Sequence, residues 1–217
     1  MFKKIKVGVG AIIMICAAFI SDRAEIILIY ALAASIHEAG HLCAAKLLKI
    51  PIKEIRFGFS GIRICTDEVV TSYKSEAILA LGGPLANLVC LSLSVAFVLI
   101  FKVGFGELLM RTDNFLSGNE SGFLGALGFF TVSSFLHCTV NLLPINTFDG
   151  GRIAYCAVSA FVSERVGERI LDISTALSAL FIWMVALYLL LKVASGLGVF
   201  VFAACIFFST VVKTEQT

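Results

Sequence analysis

Two histidines and a glutamate stand together at His37-Glu38-Ala39-Gly40-His41, inside the apolar run from Ile26 to Leu48. On a helix, residues four apart leave the same face one turn apart, so both imidazoles can reach one ion. That spacing suits two ligands of a tetrahedral zinc, with Glu38 beside them to handle protons. Ionisable groups at membrane depth are costly, which makes a cluster of this kind a functional-site hypothesis by default. The alternative is a polar seam that pairs helices. It fits poorly, because the chain has only three histidines in all.

Two further polar intrusions interrupt apolar sequence. Gly82-Gly83-Pro84-Leu85-Ala86-Asn87 lies within Ala77 to Phe101, a stretch without a charge. Glycines there allow close helix approach, and Asn87 places an amide inside the bundle. The second intrusion runs from Asn141 through Pro144 to Asp149, Gly150, Gly151 and Arg152. Pro144 ends a helix, and the glycines permit a tight bend of the kind tolerated only where backbone is buried in protein. A catalytic zinc takes three protein ligands and keeps one position open. His37 and His41 supply two. Asp149 is the favoured third, with His137, one turn before Asn141, as the alternative. Glu38 is the expected general base for zinc-activated water. Asn141 and Asn87 are candidates to hydrogen-bond the substrate backbone or a developing oxyanion.

The elements that must carry these groups follow from composition. The 217 residues are 59% hydrophobic and 15% charged, with a mean hydropathy of +0.99. A soluble domain is nearer a quarter charged, so the expectation is a multi-pass membrane protein with no large soluble domain. The net charge of +2 gives no basis for nucleic-acid binding. Seven scattered cysteines form no C-x-x-C pair, and Cys43 should point away from the histidines.

The spans are expected at about 7–20, 26–48, 77–101, 123–143, 173–191 and 193–212, after a short basic lead at 1–6. Pro51 stops the second span. Residues 52–70 alternate around Ser60-Gly61 and read as a β-hairpin at the membrane surface. Residues 102–122 read as a polar loop, and 153–170 as a helix near the surface. The fold class is thus an all-α polytopic membrane protein of about six spans, one domain over 1–217, with a small hairpin. Counting inward from a cytoplasmic N-terminus, 13 of the 17 lysines and arginines fall on inner segments. That bias places both termini in the cytoplasm, with the site opening toward the same side.

Taken together, H37-E-A-G-H41, G83-x-x-x-N87 and N141-L-L-P-I-N-T-F-D149-G resemble the site-2 protease family of intramembrane zinc metalloproteases. The resemblance covers about half the chain. It implies a core of three helices holding one zinc through His37, His41 and Asp149, and cleavage of a membrane-associated protein within or near its membrane segment. Thr147 stands where the family commonly has a second proline, with Asp149 still in register. Six spans with the motif in the second are similar to the branch typified by the sporulation factor IVFB protease. That branch implies a tethered sigma-factor or transcription-factor precursor as substrate, a role in sporulation, and an inhibitory membrane partner. Neither a PDZ nor a CBS domain is expected within this sequence. A metal transporter or metal-binding scaffold is the rival reading. It is disfavoured by the scarcity of acidic residues in the outer halves of the spans and by the intact Glu38.

Overall fold

The computed structural model describes residues 4–7, 24–58, 61–66 and 72–192. In chain order the elements are β1 (Lys4–Val7), α1 (Ala24–Leu47), β2 (Ile52–Gly58), β3 (Gly61–Thr66), α2 (Tyr73–Ile100), α3 (Phe105–Ser117), α4 (Phe123–Asn141), α5 (Asp149–Phe161) and α6 (Glu164–Lys192). Four helices among them are long and apolar enough to cross a membrane: Ala24–Leu47, Tyr73–Ile100, Phe123–Asn141 and Glu164–Tyr188. Large apolar side chains such as Leu28, Leu99 and Leu177 stay exposed along them, as a lipid-facing surface requires. The chain is a multi-pass membrane protein. The spans expected at 7–20 and 193–212 lie, apart from Val7, outside the described residues.

The chain divides into two compact units, Met1–Thr71 with Leu81–Val140, and Ser72–Ala80 with Asn141–Thr217. In the first unit α1 ends by a Schellman motif. Ile50 N–H donates to Ala45 O and Lys49 N–H to Lys46 O, and Lys49 adopts the left-handed conformation at φ 57°. Lys102 (φ 52°) ends α2 in the same way, and Gly118 (φ 81°) ends α3. Glycine is the usual residue for this geometry, so the two lysines occupy it at a conformational cost. α1 and α2 touch backbone to backbone. A Cβ on Gly40 would strike the Gly82 carbonyl, and one on Gly82 would lie 2.6 Å from the Gly40 oxygen. α3 lies similarly close to α4, where Gly125 meets Phe115 and Gly128 meets Thr112.

Three sequence expectations need correction here. Strands β2 and β3 pair antiparallel, with Ile55 opposite Ile64, and β1 adds in parallel to β2 to give a three-stranded sheet. An all-α architecture with a lone hairpin therefore omits a strand. Lys4-Ile5-Lys6-Val7 has period-two alternation, and reading it only as a basic lead passes over that signal. Residues 102–122 are not a loop. Leu108, Thr112 and Phe115 recur at helical spacing and are buried in α3, whose Arg111 pairs with Glu107 at 2.9 Å and Glu120 at 2.7 Å. Nor is 153–170 one helix. α5 stops at Phe161, and Ser163 Oγ accepts from Val166 N–H at 3.4 Å as the cap of a new helix. The charges from Glu164 to Arg169 therefore open α6.

The second unit is organised around the bend at 142–148. The bend folds over the start of α5, where a Cβ on Gly150 would strike Leu142 O and one on Gly151 would strike Ile145 O. Ile145 is fully buried. Two hydroxyls of α6 fasten the bend: Ser174 Oγ donates to Pro144 O at 2.8 Å, and Asn146 N–H donates to Thr175 Oγ1 at 2.9 Å. The opening of α2 is tied to the same unit by Arg152 Nε to Glu76 Oε1 at 2.7 Å and by Tyr73 to Glu164.

Cys156 lies in this packing at 1% exposure. Burial first, and then the nearby Glu76 carboxylate, push its thiol up to about 11 against a weaker opposing pull from Arg152. The unfolded chain therefore loses this proton first. Stability is unaffected while both states are protonated and falls as pH rises from about 8.5 toward 11. At pH 8 a maleimide should label the exposed Cys43 and spare Cys156 until the detergent-solubilised protein is denatured. Mass spectrometry of the labelled peptides reads both.

Candidate metal centre

α1 presents the two histidines as their spacing requires. His37 is 3% exposed and His41 is half-buried. Their Nε2 atoms lie 3.2 Å apart, with the rings edge to face at 80°. Two nitrogen ligands of a tetrahedral zinc, each about 2.0–2.1 Å from the ion, are separated by about 3.3 Å. The observed gap matches that edge. The spacing of the histidine pair therefore fits zinc.

α2 supports the pair from behind. Gly83 N–H donates to Nδ1 of His41 at 3.3 Å, and Nδ2 of Asn87 lies 3.3 Å from Nδ1 of His37. Gly83 has no side chain where one would intrude. Its Cβ would collide with Nε2 of both His41 and His37. That cradle, left open where a side chain would fill it, is a second sign that the space beside the two nitrogens is reserved. Asn87 is fully buried, and its Oδ1 has no hydrogen-bond partner among the described residues. Cys138 Sγ donates to Pro84 O at 3.5 Å, giving α4 a polar contact with α2 at the helix-interior proline.

His137 sits on α4 beside His37, with ring centroids 5.4 Å apart at 66°, and its other side faces Tyr30 at 5.3 Å. Glu38 is half-buried on α1, one residue from His37. Cys43 is exposed, as its place on the helix predicts. In the second unit, Asp149 is the first residue of α5 and half-buried, where the helix dipole favours a carboxylate. Asn141, half-buried, closes α4.

Sequence reasoning singled out the histidines, glutamate, aspartate and both asparagines as candidates. It treated Gly83 only as a packing residue, although the glycine is shaped to the two imidazoles. It also passed over Ser174 and Thr175, which hold the bend before Asp149. A Ser-Thr pair in an apolar span was the available signal, because hydroxyls there need backbone partners.

No curated protein matches the sequence. Among solved structures, the site-2 protease from Methanocaldococcus jannaschii superposes with a TM-score of 0.63 at 17% identity, covering 94% of this chain and 87% of that one. At that identity the likeness establishes the fold. The family follows from the sequence itself: a profile of peptidase family M50 matches residues 25–185, from the first turn of the histidine helix through most of α6. With two imidazoles set at a zinc-ligand spacing in a membrane helix, and this profile spanning most of its length, the chain belongs to peptidase family M50, the membrane metalloproteases of the site-2 type.

Proposed function

We propose that this protein is a zinc-dependent intramembrane endopeptidase that cleaves a membrane-associated protein within or near its membrane segment. The observation that carries the reading is the 3.2 Å separation of the His37 and His41 Nε2 atoms on a helix apolar enough to span a membrane. His37, His41 and Asp149 would hold one zinc. When bound, the ion would polarise water and the scissile carbonyl. Glu38 would accept the proton that water loses and deliver it to the departing amine nitrogen. Asn141, where a membrane helix gives way to the bend, would hydrogen-bond the substrate backbone or the developing oxyanion.

The substrate class that suits such a site is a tethered regulatory protein, for example a transcription factor or a sigma-factor precursor. A sporulation role and an inhibitory membrane partner are part of this proposal and rest on the branch resemblance alone. The concentration of lysine and arginine at 46–74 and 152–169 supports a site opening toward the cytoplasm, with both termini on that side.

Metal analysis of the purified protein tests the ligand set. Wild type should carry about one zinc per chain, and His41→Ala and Asp149→Asn should lose it or hold it far more weakly. Zinc undiminished in Asp149→Asn would move the third ligand to His137 or elsewhere. No zinc in any sample after reconstitution would overturn the protease reading.

A further inference from the structure

We infer that Asn87 is a positioning residue, which accepts the Nδ1 proton of His37 and so presents that ring's Nε2 to the metal. Three contacts form one directional chain. The Gly83 N–H can only donate, so Nδ1 of His41 is an acceptor. The neutral His41 ring then carries its proton on Nε2, which faces Nε2 of His37 at 3.2 Å. A His37 ring that accepts there carries its own proton on Nδ1. Asn87 is the group 3.3 Å from that nitrogen.

A proton on Nδ1 needs an acceptor, and Asn87 has one to spare. Its Oδ1 is buried without a partner among the described residues, in a side chain at 0% exposure. A half-turn of the amide exchanges Oδ1 and Nδ2 and sets the oxygen against the imidazole proton. An unsatisfied buried acceptor is costly, and this orientation gives Oδ1 the imidazole N–H as its donor. It is also the tautomer that ligation requires, because a ring that binds metal through Nε2 keeps its proton on Nδ1 and donates it to a supporting acceptor. The 3.3 Å contact from Gly83 is long, so it holds the His41 tautomer only weakly and lets that ring turn over to ligation as well. Asn87 is thus occupied with a ligand, which removes it from the groups available to bind substrate.

The inference rests on the zinc reading for its consequence, and its test separates the two. In metal-free wild type with 15N-labelled histidine, His37 should show a protonated Nδ1 and an unprotonated Nε2. The opposite tautomer would overturn the assignment whatever the metal result. Zinc affinity is then compared for wild type, Asn87→Asp and Asn87→Leu by chelator competition. The aspartate can accept and cannot donate through an amide, so it should hold zinc within about threefold of wild type. The leucine, similar in shape and unable to accept, should lose about 10–100-fold. Equal loss in both variants would show that only amide packing matters and would overturn the proposal. So would zinc binding at wild-type strength in Asn87→Leu. A wild type that binds no zinc would defeat the protease reading and leave the tautomer result standing.

Discussion

Glu38→Gln should reduce cleavage by about 100- to 10,000-fold while leaving about one zinc bound per chain. Glutamine keeps the size and helix preference of glutamate, so α1 and its two imidazoles should be undisturbed. What it loses is the ability to take a proton from water and return it to the leaving nitrogen. The ligand nitrogens are on other residues, and the separation that suits them to zinc does not involve Glu38. The two readouts should therefore part company: metal content unchanged, turnover of a tethered substrate in liposomes nearly abolished. A scaffold or transporter reading predicts no such split. Undiminished cleavage with zinc in place would remove Glu38 as the base and require another proton carrier in the site.

Much of the candidate site was legible before the fold because its residues violate their surroundings. His37, Glu38 and His41 stand in an apolar helix, Asn87 in a stretch without charge, and Asp149 after a proline among glycines. The polar groups in the apolar helices are expensive in a membrane, so they mark a candidate site. Hydropathy likewise outlined the four long helices, because about 20 apolar residues have few other uses. What escaped were features whose cause lies in tertiary contact. α3 looked like a loop because only Leu108, Thr112 and Phe115 are buried on it, while Glu107 and Arg111 form a polar face and Arg111 also pairs with Glu120 beyond its end. The short β1 forms by pairing with β2, some fifty residues later, and a four-residue strand carries little local signal. The break between α5 and α6 depends on one serine cap, which the charge pattern on either side hides. Asn87 was legible as a candidate amide, while the histidine nitrogen beside it, fifty positions away in sequence, emerged only from the fold.

Gly83→Ala should weaken zinc binding at least about 100-fold in a protein whose α2 helix is, if anything, better formed. Alanine is favoured over glycine in a helix interior by about 1 kcal/mol, so propensity alone predicts a gain. The added methyl has nowhere to go. It would meet Nε2 of His41, and Nε2 and Cδ2 of His37, the last at 2.7 Å. Relief requires either that the imidazoles rotate, which breaks the 3.2 Å pairing, or that α2 retreats from α1. Retreat is opposed because it would open the backbone packing of Gly40 against Gly82. Rotation is therefore the cheaper response, and it spoils the ligand geometry directly. Gly106→Ala is the matched control. It lies in α3, with nothing within 4 Å of the added Cβ, and should leave zinc binding unchanged. Helix content by circular dichroism and zinc by chelator competition, measured on both variants, distinguish a lost site from a lost fold. Wild-type zinc affinity in Gly83→Ala would mean that the space beside the two nitrogens is not reserved for an ion.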